Sequence, residues 1–365
     1  MTEKLYSIQS ALIALILALI LFNRFADEPL SASIYNNLLI QDGESHFKNF
    51  RQLTFSGENA EAYFSADGQS LIFQAHDGDS LCDQIYIMDI ASGKTEMVST
   101  GDGVTTCSYF NYPDCEKIIY ASTHLGGKSC PPKPDFSHGY VWKLYPDFDI
   151  FRSDMDGTNL ERLTNSPNYD AEATMAFDGS KIIFTSLSSG DLEIWTMNPD
   201  GTGKTQLTNR LGYDGGAFYS PNGKNIVWRA WYPQNEEEKE KWSLNLKNRY
   251  IDAVPLDIYV AKRDGSNKKR LTSNGATNWA PSWHPDGSHI IFSSNMDDWR
   301  EDYNAFGSNF ELYIINIYTL KLTRLTHNDI FDSFPVISKD GKIIFASNRN
   351  AENPRQTNIF IGILD

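Results

Sequence analysis

Six compact apolar triplets punctuate the chain, each a few residues after an Asp-Gly turn or a near relative of one. Leu71-Ile72-Phe73 follows Asp67-Gly68, Ile118-Ile119-Tyr120 follows Asp114-Cys115, and Ile182-Ile183-Phe184 follows Asp178-Gly179. Ile226-Val227-Trp228 follows Asn222-Gly223, Ile290-Ile291-Phe292 follows Asp286-Gly287, and Ile343-Ile344-Phe345 follows Asp340-Gly341. Successive turns from residue 67 to 114, 178, 222, 286 and 340 are 47, 64, 44, 64 and 54 residues apart, a period that marks propellers and solenoids. After each triplet comes a second β-rich run, such as Gln84-Ile85-Tyr86-Ile87-Met88 or Glu193-Ile194-Trp195-Thr196-Met197, and then a Leu-Thr or similar pair. Asp-Gly between β-branched runs predicts adjacent antiparallel strands, because Asp, Asn and Gly tolerate the positive φ of tight hairpins.

The pattern predicts an all-β chain: a six-bladed β-propeller of four-stranded antiparallel blades. Six such sheets cannot bury both faces singly, but packed radially they cover one another. The Leu-Thr pairs fall at Leu53-Thr54, Ser99-Thr100 (the variant form), Leu163-Thr164, Leu207-Thr208, Leu271-Thr272 and Leu325-Thr326, so the first precedes copy one and none follows copy six. The segment from Phe50 to Thr54 is therefore expected to pair with the C-terminal blade and remove its free edge.

These repeats resemble those of the TolB-type six-bladed propellers, a pattern shared with the propellers of prolyl oligopeptidases and dipeptidyl peptidases. The resemblance covers residues 49–365 and implies the fold. About 48 residues precede the repeats, so neither the α/β domain that goes before a TolB propeller nor a peptidase hydrolase domain is expected within these residues. Neither TolB's partners nor a peptidase reaction is carried over.

Residues 1–25 are expected to be a signal anchor or signal peptide and 26–48 a linker. Ala11 to Phe22 is unbroken apolar sequence, of a length between a signal-peptide core and a short membrane span. An N-terminal hydrophobic helix is the expectation, with the chain exported to the periplasmic side of the cell membrane as a single-pass anchored protein, or secreted if the segment is cleaved. A net charge of −15 and a pI near 4.9 argue against nucleic acid, which needs clustered Lys and Arg. All four cysteines lie in the first two copies. One disulfide is expected among Cys82, Cys107 and Cys130, because extended chain separates Cys107 from Cys115 beyond bridging range.

Loops alternate between the two ends of a meander, and the three longest, about Thr123 to Phe148, Tyr232 to Pro255 and Met296 to Asn309, all emerge opposite the Asp-Gly turns. Long loops on a rigid scaffold are where recognition sits. On that face lies the residue eight before each turn: Asn59, Thr106, Asp170, Asp214, Asn278 and Asp332, with Glu61 and Glu172 two residues farther in. They are expected to ring the mouth of the central channel, where a divalent cation could compensate the carboxylates; the alternative is that they cap turn amides. A rim of His76, His124, Arg229, Asn295, Asn348 and Arg349 follows the triplets, its arginines able to orient an anionic or sugar-like ligand or to neutralise the acids.

No G-x-S-x-G, H-E-x-x-H or phosphate-binding glycine loop is present. The expected function is a non-catalytic, monomeric recognition module that binds a peptide, protein or envelope glycan at the insertion-bearing face. The alternative is a metal-assisted lyase or hydrolase acting on a carbohydrate there. An insertion face covered by its own loops would instead favour a scaffold without a ligand.

Overall fold

The computed structural model describes residues 39–77, 82–136, 141–298, 309–353 and 355–365. The expected N-terminal helix lies outside these residues; among those described, no helix is long and apolar enough to cross a membrane. Six four-stranded antiparallel sheets are arranged as the blades of a propeller. Their innermost strands are Glu58–Phe64, Thr105–Phe110, Asp170–Met175, Tyr213–Tyr219, Asn278–Trp283 and Asp332–Ile337. The apolar triplets form the second strands, where Leu71, Ile118, Ile182, Ile226, Ile290 and Ile343 are all fully buried.

Each Leu-Thr pair does a defined job. The amide of Leu53, Val98, Leu163, Leu207, Leu271 or Leu325 donates to the third strand of its blade at 2.8 Å. The hydroxyl one residue on, from Thr54, Ser99, Thr164, Thr208, Thr272 or Thr326, accepts the amide of Ile359, Ile85, Ile150, Ile194, Ile258 or Leu312 at 2.8–2.9 Å. A donor that the short outer strand cannot reach is thereby satisfied.

Blades are tied to one another by a second repeated bond. The amides of Asn59, Thr105, Asp170, Asp214, Asn278 and Asp332 donate to the carbonyls of Thr357, Asp83, Phe148, Leu192, Leu256 and Phe310 in the preceding blade, at 2.9–3.1 Å. The set is closed, since Asn59 of the first blade reaches Thr357 of the last.

The outer strand of the sixth blade comes from the start of the chain: Phe47–Gln52 runs antiparallel to Asn358–Leu364, with Phe47 opposite Leu364 and Gln52 opposite Phe360. Phe50 is fully buried, 5.4 Å from the Phe345 ring. A Cβ on Gly362 would lie 2.2 Å from Phe50 Cδ1, so only glycine lets that ring lie on the strand. The described residues include 39–46 ahead of this strand, so part of the expected 26–48 segment packs on the blade. Glu44 is buried and accepts both terminal nitrogens of Arg349 at 3.1 Å, while Arg349 also donates to Asp332 at 2.6 Å. The reason is charge balance: Arg349, wrapped by Phe50, Phe345 and Phe360, needs its anions inside with it.

Phe50→Ala is expected to cost about 3–5 kcal/mol in urea unfolding of the full chain. A loss below about 0.5 kcal/mol, the range of surface substitutions, would show that this strand is not part of the sixth sheet.

Candidate functional site in the central channel

Every innermost strand carries a bulge two residues after its inter-blade amide: the ladder register shifts in all six. The residue there has positive φ: Glu61 51°, Cys107 53°, Glu172 55°, Gly216 62°, Ala280 48° and Phe334 56°. Five of the six are not glycine, a conformation that costs about 1–3 kcal/mol each unless the surroundings impose it. The extra residue turns the following side chains toward the axis. These six residues line a cavity of about 30 Å³, room for one or two water molecules.

The expected ring therefore does not face the channel. Asp170 accepts the hydroxyls of Ser166 and Ser186, Asp214 accepts Trp228 Nε1 at 2.5 Å and the Tyr232 hydroxyl at 2.7 Å, and Asn59 donates to the Ser56 and Thr357 carbonyls. Asn278 donates to the Leu256 carbonyl and Asp332 accepts from Arg349. All five are buried. In the second blade the matching residue is Thr105, paired with Ser122 as Asp170 is with Ser186. The Cys115 amide there bonds back to Asn111, four residues away, where Gly68 reaches back only three to Ser65; that longer turn displaces the count by one. Of the expected ring set, Glu61 and Glu172 line the channel.

The channel holds one built ion pair. Glu172 accepts the Thr185 hydroxyl at 2.7 Å and the Gly216 amide at 3.0 Å on one oxygen, and the Arg229 guanidinium on the other. Arg229 lies 3.8 Å from the Trp279 ring centroid, with Trp142 and Tyr213 at 5.5 and 5.6 Å. Gly216 makes this possible, since a Cβ there would sit 1.7 Å from Arg229 Nη1. Glu61 has no such partner. Burial pushes its carboxyl up to about 7 and Glu172 adds to the rise, while Arg229 and a hydrogen bond with the Cys107 thiol hold part of it back. Burial likewise pushes the Cys107 thiol well up, with Glu61 and Glu172 adding, so it is a neutral thiol. The structure joins Cys82 to Cys130, with sulfurs 2.04 Å apart.

Rim residues serve the loops. His124 bonds the Ser122 hydroxyl at 3.0 Å, and Asn295 accepts the Thr277 amide at 2.9 Å. Among the described residues no three His, Cys, Asp or Glu side chains converge as a metal site.

The insertion face is roofed. Val141–Lys143 of the first insertion pairs with Tyr250–Asp252 of the second, and the Trp142 ring lies 5.3 Å from Trp279. A helix, Glu236–Lys247, capped by Asn235 at its start, buries Trp242 against this ribbon and bonds its indole to Asp191 at 2.8 Å. The third insertion lies largely outside the described residues. The opening is at the other end. There a layer of Tyr63, Tyr109 and Phe218, with ring centroids 5.1–6.1 Å apart, floors a funnel of about 480 Å³ reached between the Asp-Gly turns. Tyr112, Phe177 and Trp283 form its aromatic wall. Sequence reasoning passed over Tyr63, Tyr109, Tyr112, Phe177 and Phe218; for Tyr63, Tyr109 and Phe218 the signal was an aromatic four positions after the inter-blade amide.

One further feature stands out against the repeat. The first residue of a blade's third strand is a carboxylate matched by an outer-strand Arg in three blades: Asp149 with Arg162, Asp257 with Arg270, Glu311 with Arg324. Two others are amides, Gln84 and Asn358. The third blade breaks the rule, because Gln206 stands where the three paired blades have that arginine and bonds the Thr208 carbonyl. Glu193 Oε2 and Asp214 Oδ2 are buried with no other partner, and two carboxyls abut stably only with a proton between them. Burial, then Asp214 and Asp191, push Glu193 up to about 8, against the pull of the Thr208 hydroxyl.

No family model matches the chain. Over 109 residues it is 33% identical to the Tol-Pal system protein TolB of Francisella tularensis, a match covering 29% of this chain and 22% of that protein; it thus spans under a quarter of the length of the curated relatives it matches. TolB from Acinetobacter baumannii superposes with a TM-score of 0.50 at 18% identity over 84% of this chain and 64% of that one. An oligogalacturonate lyase from Vibrio parahaemolyticus does so with 0.53 at 12% over 88% and 95%. These structural likenesses show the fold, a TolB-like six-bladed propeller.

Gly216→Ala is expected to expel Arg229 from its site and cost about 3–5 kcal/mol, as for breaking a buried ion pair, read by urea unfolding; an unchanged midpoint would contradict the placement. Glu193 gives a signed pH dependence. A raised carboxyl contributes stability in full below its ordinary value of 4.5 and loses it as pH climbs to about 8. Gln206→Arg should remove up to one proton per molecule from the slope of stability on pH across that window, and an unaltered slope would show that Glu193 holds no excess proton.

Proposed function

We propose that the chain is an exported protein-binding module that seats a peptide segment of its partner in the aromatic funnel at the Asp-Gly end of the channel. The observation that carries this is the contrast between the two ends. The insertion face, where binding was expected, is filled by its own ribbon and Trp142, whereas the opposite end presents a pre-formed concavity lined by Tyr109, Tyr112, Phe177 and Trp283. Rigid aromatic walls supply contact area at low entropic cost and are where interface energy concentrates. Likeness to TolB, a protein of the Tol-Pal system by name, supports a protein partner in the cell envelope. A Cys82–Cys130 bridge and the apolar N-terminal sequence support an oxidising, exported location on the periplasmic side.

Peptides selected by phage display against the full chain test the reading. Their affinity is expected to fall at least tenfold, ~1.4 kcal/mol, on Phe177→Ala and to stay within twofold on Leu244→Ala, an exposed position on the roofing helix. Peptides indifferent to Phe177 but sensitive to Leu244 would move the site back to the insertion face.

A further inference from the structure

The cavity behind the funnel floor is unbalanced in charge. Its lining includes three side chains that carry full charges, Glu61, Glu172 and Arg229: two acids against one base. Arg229 is committed, held by Glu172 and laid on Trp279. Glu61 is thus left with a thiol hydrogen bond, and its half-buried carboxylate, partly stripped of water beside Glu172, calls for a proton or a cation. Space sets the size of that cation. About 30 Å³ accommodates an ammonium head, which is close to a water molecule in size, and is tight for a planar guanidinium on its stem.

The approach is also specific. Tyr63 and Val336 line both the cavity and the funnel, so one layer of side chains separates them. At that level Tyr63, Tyr109 and Phe218 stand on three blades, while the other three present the smaller Thr174, Ser282 and Val336. Glu61 lies two residues beyond Tyr63 along the same strand, at most about 7 Å given the usual rise, a span that the four-carbon stem of lysine covers. An alkyl stem would pass along aromatic faces, whose π-electrons attract the ammonium on its way. At the entrance, Asp67 is held below the usual carboxylate range by the Ser65 hydroxyl and the Gln69 amide, and so adds negative charge at the rim.

We propose that the channel takes a primary alkylammonium, the side chain of a lysine presented by the bound segment, with the Glu61 carboxylate as its counter-ion. This rests on the funnel being the docking site, but it can be probed without any peptide. The charged and titratable groups facing Glu61 are Glu172, Arg229, Cys107 and Tyr63, with Asp83 farther off. Glu61 changes charge near neutrality, neutral below about 7 and anionic above it.

The test titrates n-butylammonium, and neutral 1-butanol as its isostere, into the full chain, followed by aromatic-proton NMR. Saturable n-butylammonium binding is expected at pH 8.5, at least tenfold weaker at pH 5.5 and in Glu61→Gln, with 1-butanol insensitive to both changes. Equal affinity of the two probes, no pH effect, or no saturable binding of n-butylammonium overturns the proposal. Should Glu61→Gln not fold, the pH series on the unaltered chain decides alone. Funnel-directed peptides that bind equally with lysine or norleucine would sink the ammonium site and leave the funnel standing; peptides that ignore Phe177 would sink the funnel, whatever n-butylammonium does.

Discussion

A single backbone hydrogen bond, repeated at every blade junction, governs the rest of the molecule. From Asn59 to Asp332, an amide at the first or second residue of each innermost strand is given to the carbonyl just before the third strand of the neighbouring blade. These bonds fix how far one sheet leans on the next, and so the width of the axis. They also bear the bulges: a strand pinned near its start and paired along its length has nowhere to put an extra residue except toward the centre. Non-glycine residues such as Glu61, Glu172 and Phe334 hold positive φ there because the surroundings leave no alternative. Channel chemistry is thus a product of the blade junctions.

From this follows the division of labour among polar residues. Those at the junction itself, Asp170, Asp214, Asn278 and Asp332, are buried and hydrogen-bonded, and contribute to cohesion. Those two residues on face a small shared space and are electrostatically consequential, because desolvation there shifts Glu61 toward neutrality. Arg229 belongs to both groups. It rises from a second strand, crosses above Gly216 and fixes Glu172 beneath the Trp142 and Trp279 rings, closing the insertion end chemically as the ribbon closes it sterically.

The architecture was legible in the sequence because each blade writes the same signals: a turn, a buried triplet, a Leu-Thr pair whose hydroxyl is bound to be used. The channel was only half legible. Period-two reasoning places Asn59 and Glu61 on one face, but the bulge falls at Glu61 itself, and one added residue separates what points into the blade from what points to the axis. The second blade misled by a single position, since the longer turn at Tyr112-Pro113 displaced the count from Thr105 to Thr106. Nothing in the spacing of the first two insertions reveals that they pair with each other over the mouth; Trp142 meets Trp279 only through tertiary structure. Local sequence likewise could not show that Gln206 leaves Glu193 without the cation that Arg162, Arg270 and Arg324 supply elsewhere.

The account depends on the six junctions being equivalent, the one between the first and last blades included. Native-state hydrogen exchange, resolved to single amides, measures this most directly. It predicts that Asn59, Thr105, Asp170, Asp214, Asn278 and Asp332 all exchange only through global unfolding, with protection that falls together as urea is added. An Asn59 amide that exchanges through local opening while the other five stay protected would contradict it, because the ring would then be open at its seam and the channel would lose its common wall.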